Sequence, residues 1–85
     1  MPTFRTRPVT IEAMYFDGSY QSGKAILDWA DETVYRTDLV GLKIETMEGI
    51  LDVSPGDWVI KGVIGEFYPC EPDQFQKKYE LVEES

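Results

Sequence analysis

Residues 55–75 read PGDWVIKGVIGEFYPCEPDQF. This segment combines aromatic and β-branched side chains with glycines and prolines at close intervals. Pro55 and Gly56 stand at the central positions of a predicted type II turn, and a strand is predicted to follow at residues 58–61. Because backbone-restricting residues and large apolar side chains occur together here, we expect the segment to organise a small fold as a turn, a hairpin and the start of a helix.

The glycines and prolines downstream of this strand predict how the hairpin continues. Gly62 and Gly65 bracket two apolar residues, a spacing typical of a short turn or a bulged strand pair before a strand at residues 66–68. Pro69 is expected to interrupt that strand, because proline lacks a backbone N–H.

A short C-terminal helix is predicted next. Pro72 suits its first turn, and Phe75 and Tyr79 lie four residues apart, on the same face of such a helix. Residues 79–82 then form either the end of this helix or a last strand.

A longer helix is predicted over residues 23–31. Ile26 and Trp29 fall on one apolar stripe, which is typical of a helix that packs on a sheet. Either Ser19 or Ser22 can cap its beginning.

The remaining segments predict strands and one irregular region. Residues 9–16 alternate as a strand, and residues 42–46 and 50–53 form a hairpin with Glu48-Gly49 at the turn. Residues 31–38 show no clear period and are expected to be irregular. Together the elements predict a single α+β domain over residues 1–85, with an antiparallel sheet of about four or five strands, one packed helix and a short C-terminal helix.

Size and charge limit the classes of function. Eighty-five residues with 42% hydrophobic and 13% aromatic content are enough for a thin core, which self-association often supplements. Eight basic and sixteen acidic residues give a net charge of −8, which disfavours general nucleic-acid binding and favours a basic partner.

The single cysteine and the absence of long apolar stretches indicate the compartment. Cys70 cannot form an internal disulfide, and the N-terminus lacks the apolar core of a signal peptide. We therefore expect a cytoplasmic protein that does not cross a membrane, with a homo-oligomer as a candidate state.

The blocks described above also carry a resemblance. The chain resembles a family of small proteins from tailed bacteriophages and prophages, marked by the motif PGDW-(V/I)-IKGV-x-GEFYPC-x-PD-x-F. The matching blocks are residues 5–13, Asp17-Gly18, residues 42–49, residues 55–75 and Tyr79-Glu80. The resemblance implies an accessory protein made inside an infected bacterium, and it implies no particular biochemical activity.

Catalytic chemistry has few candidate residues. The chain has no histidine, the commonest general base and metal ligand, so we expect no metal and no cofactor. Cys70 is expected to be a small buried residue rather than a nucleophile, and Glu66 an outward-facing carboxylate rather than an acid or base with a raised pKa.

A ligand or partner site can still be assembled from charged, aromatic and glycine positions. Lys61 and the glycine amides would hold an anionic ligand, and the N-terminal arginines would add positive charge. An aromatic side chain would stack on the ligand. The candidate residues are Arg5, Arg7, Trp58, Lys61, Gly62, Gly65, Glu66 and Tyr68.

Three functional hypotheses follow. The first is a non-enzymatic phage accessory protein that binds and modulates a host bacterial protein during infection. The second is an oligomeric protein that sequesters a small anionic ligand such as a signalling nucleotide. The third is a small enzyme that uses Glu66 or Cys70.

Overall fold

The computed structural model describes residues 1–4 and 9–82 and confirms the α+β class. In chain order the elements are β1 (Glu12–Tyr15), α1 (Tyr20–Trp29), β2 (Val34–Arg36), β3 (Leu42–Thr46), β4 (Gly49–Val53), β5 (Trp58–Lys61), β6 (Phe67–Cys70) and α2 (Pro72–Lys78). These strands form two antiparallel three-stranded sheets rather than one, with the orders β1-β5-β6 and β2-β3-β4.

The helix α1 begins three residues earlier than the predicted start. Ser19 is its cap, because the Ser19 hydroxyl accepts a hydrogen bond from the backbone N–H of Ser22 at 3.1 Å. The helix ends where the N–H of Ala30 donates to the carbonyl of Ile26 at 2.8 Å. Neither helix that the structure describes is long and apolar enough to cross a membrane.

The strand predicted over residues 9–16 is shorter in the structure. Its neighbour β5 has four residues, so β1 pairs with it only from Glu12 to Tyr15. Phe16 instead exchanges two backbone hydrogen bonds with the Pro-Gly turn, donating to the carbonyl of Asp57 at 2.9 Å and accepting from Gly56 at 2.7 Å. These bonds fix the turn against the end of the first strand.

Two local predictions were wrong. Residues 34–36, expected to be irregular, form β2, because Val34 pairs with Ile44 of β3 and is buried against it. Pro69, expected to interrupt its strand, lies inside β6 opposite Val59. An edge strand tolerates proline where the missing N–H would face away from the sheet, and β6 is the edge of its sheet.

The main core lies between α1 and the two sheets. Trp29 of α1 packs edge-on against Phe67 of β6, with ring centroids 5.3 Å apart. The buried side chains of this core are Phe16, Ile26, Val34, Leu42, Ile44, Val53, Val59 and Phe67.

A second apolar layer lies on the opposite face of the first sheet. Successive strand residues point to opposite faces, so Ile60 points away from the main core that contains Val59. Ile60 is nevertheless fully buried, because α2 covers this face with Phe75 and Tyr79. The first sheet is therefore apolar on both faces.

Candidate functional site

The structure separates the residues that the sequence grouped as one site. Trp58 and Tyr68 point to the face covered by α2, whereas Lys61 points to the other face. Gly62 and Gly65 lie in the turn between β5 and β6, together with Glu66. Arg5 and Arg7 lie outside the described residues.

The turn between β5 and β6 uses the amides that were expected to hold an anion. The N–H of Gly62 donates to the carbonyl of Glu66 at 2.7 Å, and the N–H of Gly65 donates to the carbonyl of Gly62 at 3.0 Å. The Glu66 carboxylate accepts from the N–H of Ile64 at 3.2 Å and packs directly over Gly62. A carboxylate thus occupies the place proposed for a ligand anion, and both glycine amides donate to carbonyls within the turn.

Lys61 borders a small groove beside this turn. Its ammonium nitrogen lies 4.0 Å from a carboxylate oxygen of Glu12, so part of its charge is balanced within the chain. The groove has a volume of ≈ 400 Å³. It is lined by Thr10, Ile11, Glu12, Lys61, Gly62, Val63 and Gly65.

The aromatic ring proposed for stacking already has a partner. Phe75 of α2 stacks on Trp58 at 4.2 Å, and Tyr15 packs on Trp58 at 5.3 Å. The hydroxyls of Tyr68 and Tyr79 lie 3.3 Å apart. Burial, together with this hydrogen bond, raises the pKa of Tyr68 well above its usual value, so the hydroxyl stays protonated. Trp58 and Tyr68 therefore stabilise the packing of α2.

Cys70 lies at the end of β6 as a half-buried thiol. Burial raises the pKa of the Cys70 thiol; the positive charge of Lys78 opposes this effect, and the carboxylates of Asp57 and Glu71 add to it. Its sulfur lies 3.6 Å from the carbonyl oxygen of Glu71, a weak contact that suits a protonated thiol. These surroundings disfavour the thiolate that nucleophilic attack requires.

A second cleft lies between β4 and the segment that joins β6 to α2. Its volume is ≈ 550 Å³. Its lining residues are Leu51, Asp52, Ser54, Asp57, Pro69, Cys70, Glu71, Pro72 and Asp73. Four of these carry carboxylates and none carries a positive charge, so the cleft is an acidic region of a chain that is acidic as a whole.

The four carboxylates of the cleft differ in their surroundings. Asp57 is buried and accepts a hydrogen bond from the N–H of Ser54 at 2.9 Å, so it fixes the turn after β4. Asp52 forms an ion pair with Lys43 on the neighbouring strand. Glu71 and Asp73 are exposed at the start of α2, and the described part of the chain provides neither with an ion pair. These two side chains are the most available to a partner.

Sequence reasoning missed the cleft. Asp52 and Asp57 are separated from Glu71 and Asp73 by the whole β5–β6 hairpin, and the fold brings the two groups together. The sequence does contain a local signal for the cleft, because each pair of acidic residues has a proline between its members: Pro55 in residues 52–57 and Pro72 in residues 71–73. Prolines next to acidic residues predict exposed turns rather than a shared site, so this signal alone is weak.

Comparisons of the chain with models of protein families, with curated proteins and with solved structures find no match.

Proposed function

We propose that this chain is a phage-encoded accessory protein that acts in the cytoplasm of an infected bacterium by binding a basic host protein. The proposal places the contact at the acidic cleft between β4 and the start of α2. The setting is supported by the sequence blocks that resemble phage and prophage proteins. The binding role is supported by the chemistry of the surface.

The observation that carries the proposal is the one-sided charge of the cleft. Its walls supply four carboxylates, and Glu71 and Asp73 point their charges outward at the beginning of α2. Leu51 and Pro69 provide apolar area in the same cleft. A mixture of apolar surface and uniform charge favours a protein segment that presents basic side chains beside apolar ones.

Charge reversal in the cleft tests this proposal. The double variant Glu71→Lys/Asp73→Lys is compared with Glu32→Lys/Glu45→Lys, a matched control that changes two exposed acids outside the cleft lining. Each tagged protein is used to capture partners from a lysate of the bacterial host, and retained proteins are quantified by mass spectrometry.

We expect one basic protein to be retained by the unmodified chain and by the control, and lost with the cleft variant. Retention should fall as salt is raised, because screening weakens charge attraction. If the cleft variant and the control retain the same proteins, the cleft is not the binding site and the proposal fails.

Sequestration of an anionic ligand is a second candidate, supported by the groove beside Lys61. Lys61 would be assisted by Arg5 and Arg7, and an oligomer would enclose the ligand between subunits. Native mass spectrometry of protein purified from its host separates the two functions. A small added mass on an oligomer favours the ligand, and a second polypeptide favours the host protein.

A further inference from the structure

The acidic cleft lies beside two open strand edges. In a strand, neighbouring residues point to opposite faces of the sheet. Leu51 and Asp52 are neighbours in β4, and both line the cleft, so the cleft must run along the edge of β4 rather than over one face. The same holds for Pro69 and Cys70 in β6.

Each of these strands has a single partner in its sheet. β4 pairs with β3, and β6 pairs with β5. Within residues 1–4 and 9–82, no backbone hydrogen bond joins β4 to β6. The two strands approach each other without pairing, so each keeps one unpaired edge. An unpaired edge strand offers N–H and C=O groups to another chain.

The two edges are not equivalent. β6 contains Pro69, which has no N–H, so its outer edge lacks a donor. β4 contains no proline and is exposed along most of its length, with Ile50 58% and Leu51 37% exposed. The edge of β4 is the better template for an added strand.

We propose that the edge of β4 accepts an extended segment of the partner as an additional antiparallel or parallel strand, in which apolar and basic residues alternate. This inference rests on the proposed function and specifies the form of the partner. Apolar side chains of the added strand would lie on the face of Leu51, and basic side chains would lie on the face of Asp52, near Glu71 and Asp73.

Charge argues against a second copy of this chain as the occupant. Each copy carries a net charge of −8, and edge-to-edge pairing would bring two acidic clefts together. Like charges placed opposite each other oppose pairing, whereas a basic strand gains from the same carboxylates.

The test uses the unmodified protein and a synthetic hexapeptide of alternating valine and lysine, blocked at both ends. Binding is followed by amide chemical shifts and hydrogen exchange in the ¹⁵N-labelled protein. We expect shifts and slower exchange at residues 49–53, with an affinity that falls as salt is raised.

Two N-methylated peptides provide the matched controls. Methylation of alternate amides removes the donors on one side of an extended peptide and leaves its charge unchanged. We expect one methylated peptide to bind at least about tenfold more weakly than the unmethylated peptide, because its methylated amides cannot donate hydrogen bonds to β4. The peptide methylated on the other side should bind as the unmethylated peptide does.

The outcomes distinguish this inference from the proposed function. Equal binding by all three peptides overturns strand addition and leaves charge attraction at the cleft intact. Failure of the unmethylated peptide to bind overturns strand addition, and the charge-reversal experiment then decides the proposed function independently. If the amides of β4 exchange slowly without peptide and sedimentation gives the mass of a dimer, the inference is overturned. The edge of β4 then pairs with a second copy of this chain.

Discussion

Phe75 of α2 stacks face to face on Trp58 of β5, with ring centroids 4.2 Å apart and ring planes 5° from parallel. The helix α2 has seven residues and none of them is fully buried, so it is too short to be stable alone. The stack therefore anchors a helix whose first residues supply the outward-facing carboxylates of the acidic cleft. The packing of α2 on one face of the β1-β5-β6 sheet thus positions these carboxylates at the edge of that sheet.

Removing the stack should loosen α2. We expect Phe75→Ala to lower the free energy of unfolding by about 1–2 kcal/mol, because the ring is only half-buried but loses both apolar contact and aromatic packing. Denaturation with guanidinium chloride, followed by circular dichroism, measures the change. The control Gln76→Ala alters an exposed residue of the same helix and should change stability by less than about 0.5 kcal/mol. Equal effects from the two variants would show that the stack does not anchor α2.

The carboxylate of Glu66 lies directly over Gly62. A side chain at Gly62 would collide with this carboxylate, so Gly62→Ala should displace it and break its hydrogen bond to the N–H of Ile64. We expect a loss of about 1 kcal/mol in the free energy of unfolding. In a Glu66→Ala background the same substitution should have a much smaller effect, because the colliding group is gone. Additive effects in this double-mutant cycle would contradict the contact.

Asp17 should make the fold sensitive to acid. Hydrogen bonds from the Ser19 and Ser22 side chains, and from the backbone of Ser19, lower the pKa of Asp17 from 3.8 to about 2. The depressed pKa of the folded state means that the carboxylate stabilises the fold above about pH 4 and that this contribution disappears as the pH falls towards 2. We expect the midpoint of thermal unfolding to fall less between pH 6 and pH 2.5 in Asp17→Asn than in the unmodified protein.

A direct titration checks the cause of this shift. The carboxyl carbon resonance of Asp17 gives its pKa in the folded protein, and Ser22→Ala removes one of the hydrogen bonds that lower it. The pKa should rise towards its usual value in this variant. An unchanged pKa would show that Ser22 does not hold the carboxylate.

Local signals in the sequence predicted much of the fold. The β3–β4 hairpin was predicted from alternation and from a turn at Glu48-Gly49. In the structure the turn is one residue earlier, and Gly49 is the first residue of β4, paired with Thr46. Its φ of +115° is a conformation that other residues rarely adopt. The helix α1 was predicted from its apolar stripe, and Ile26 is fully buried. The strand β2 could not be predicted, because three residues are too few to show a period and the burial of Val34 depends on tertiary packing in the main core.

The candidate site was harder to predict than the fold. Alternation along β5 already places Trp58 and Lys61 on opposite faces, yet only the position of α2 shows that the ring of Trp58 is covered. The use of the Gly62 amide within the turn depends on its hydrogen bond to Glu66, which composition does not show. The cleft depends on how two sheets approach each other, which is a property of tertiary structure.

Cys70 offers a chemical probe of the cleft. Burial raises the pKa of its thiol above the usual 9.0, so a smaller fraction is thiolate at any given pH. We expect iodoacetamide to modify Cys70 more slowly in the folded protein at pH 8 than in the same protein unfolded in denaturant. As the pH is raised, the rate of modification in the folded protein should still be increasing at pH 9, because the thiol is not yet fully ionised there. The unfolded chain is the matched control, because it carries the same single thiol.

The same reaction reports on α2 and on partner binding. Because Cys70 lines the cleft just before α2, a bound basic peptide should slow modification further, and Phe75→Ala should accelerate it by loosening the helix. A folded-state rate equal to or faster than that of the unfolded chain would contradict the raised pKa. A rate that is insensitive to the peptide, when binding is seen by another method, would place the bound peptide away from Cys70.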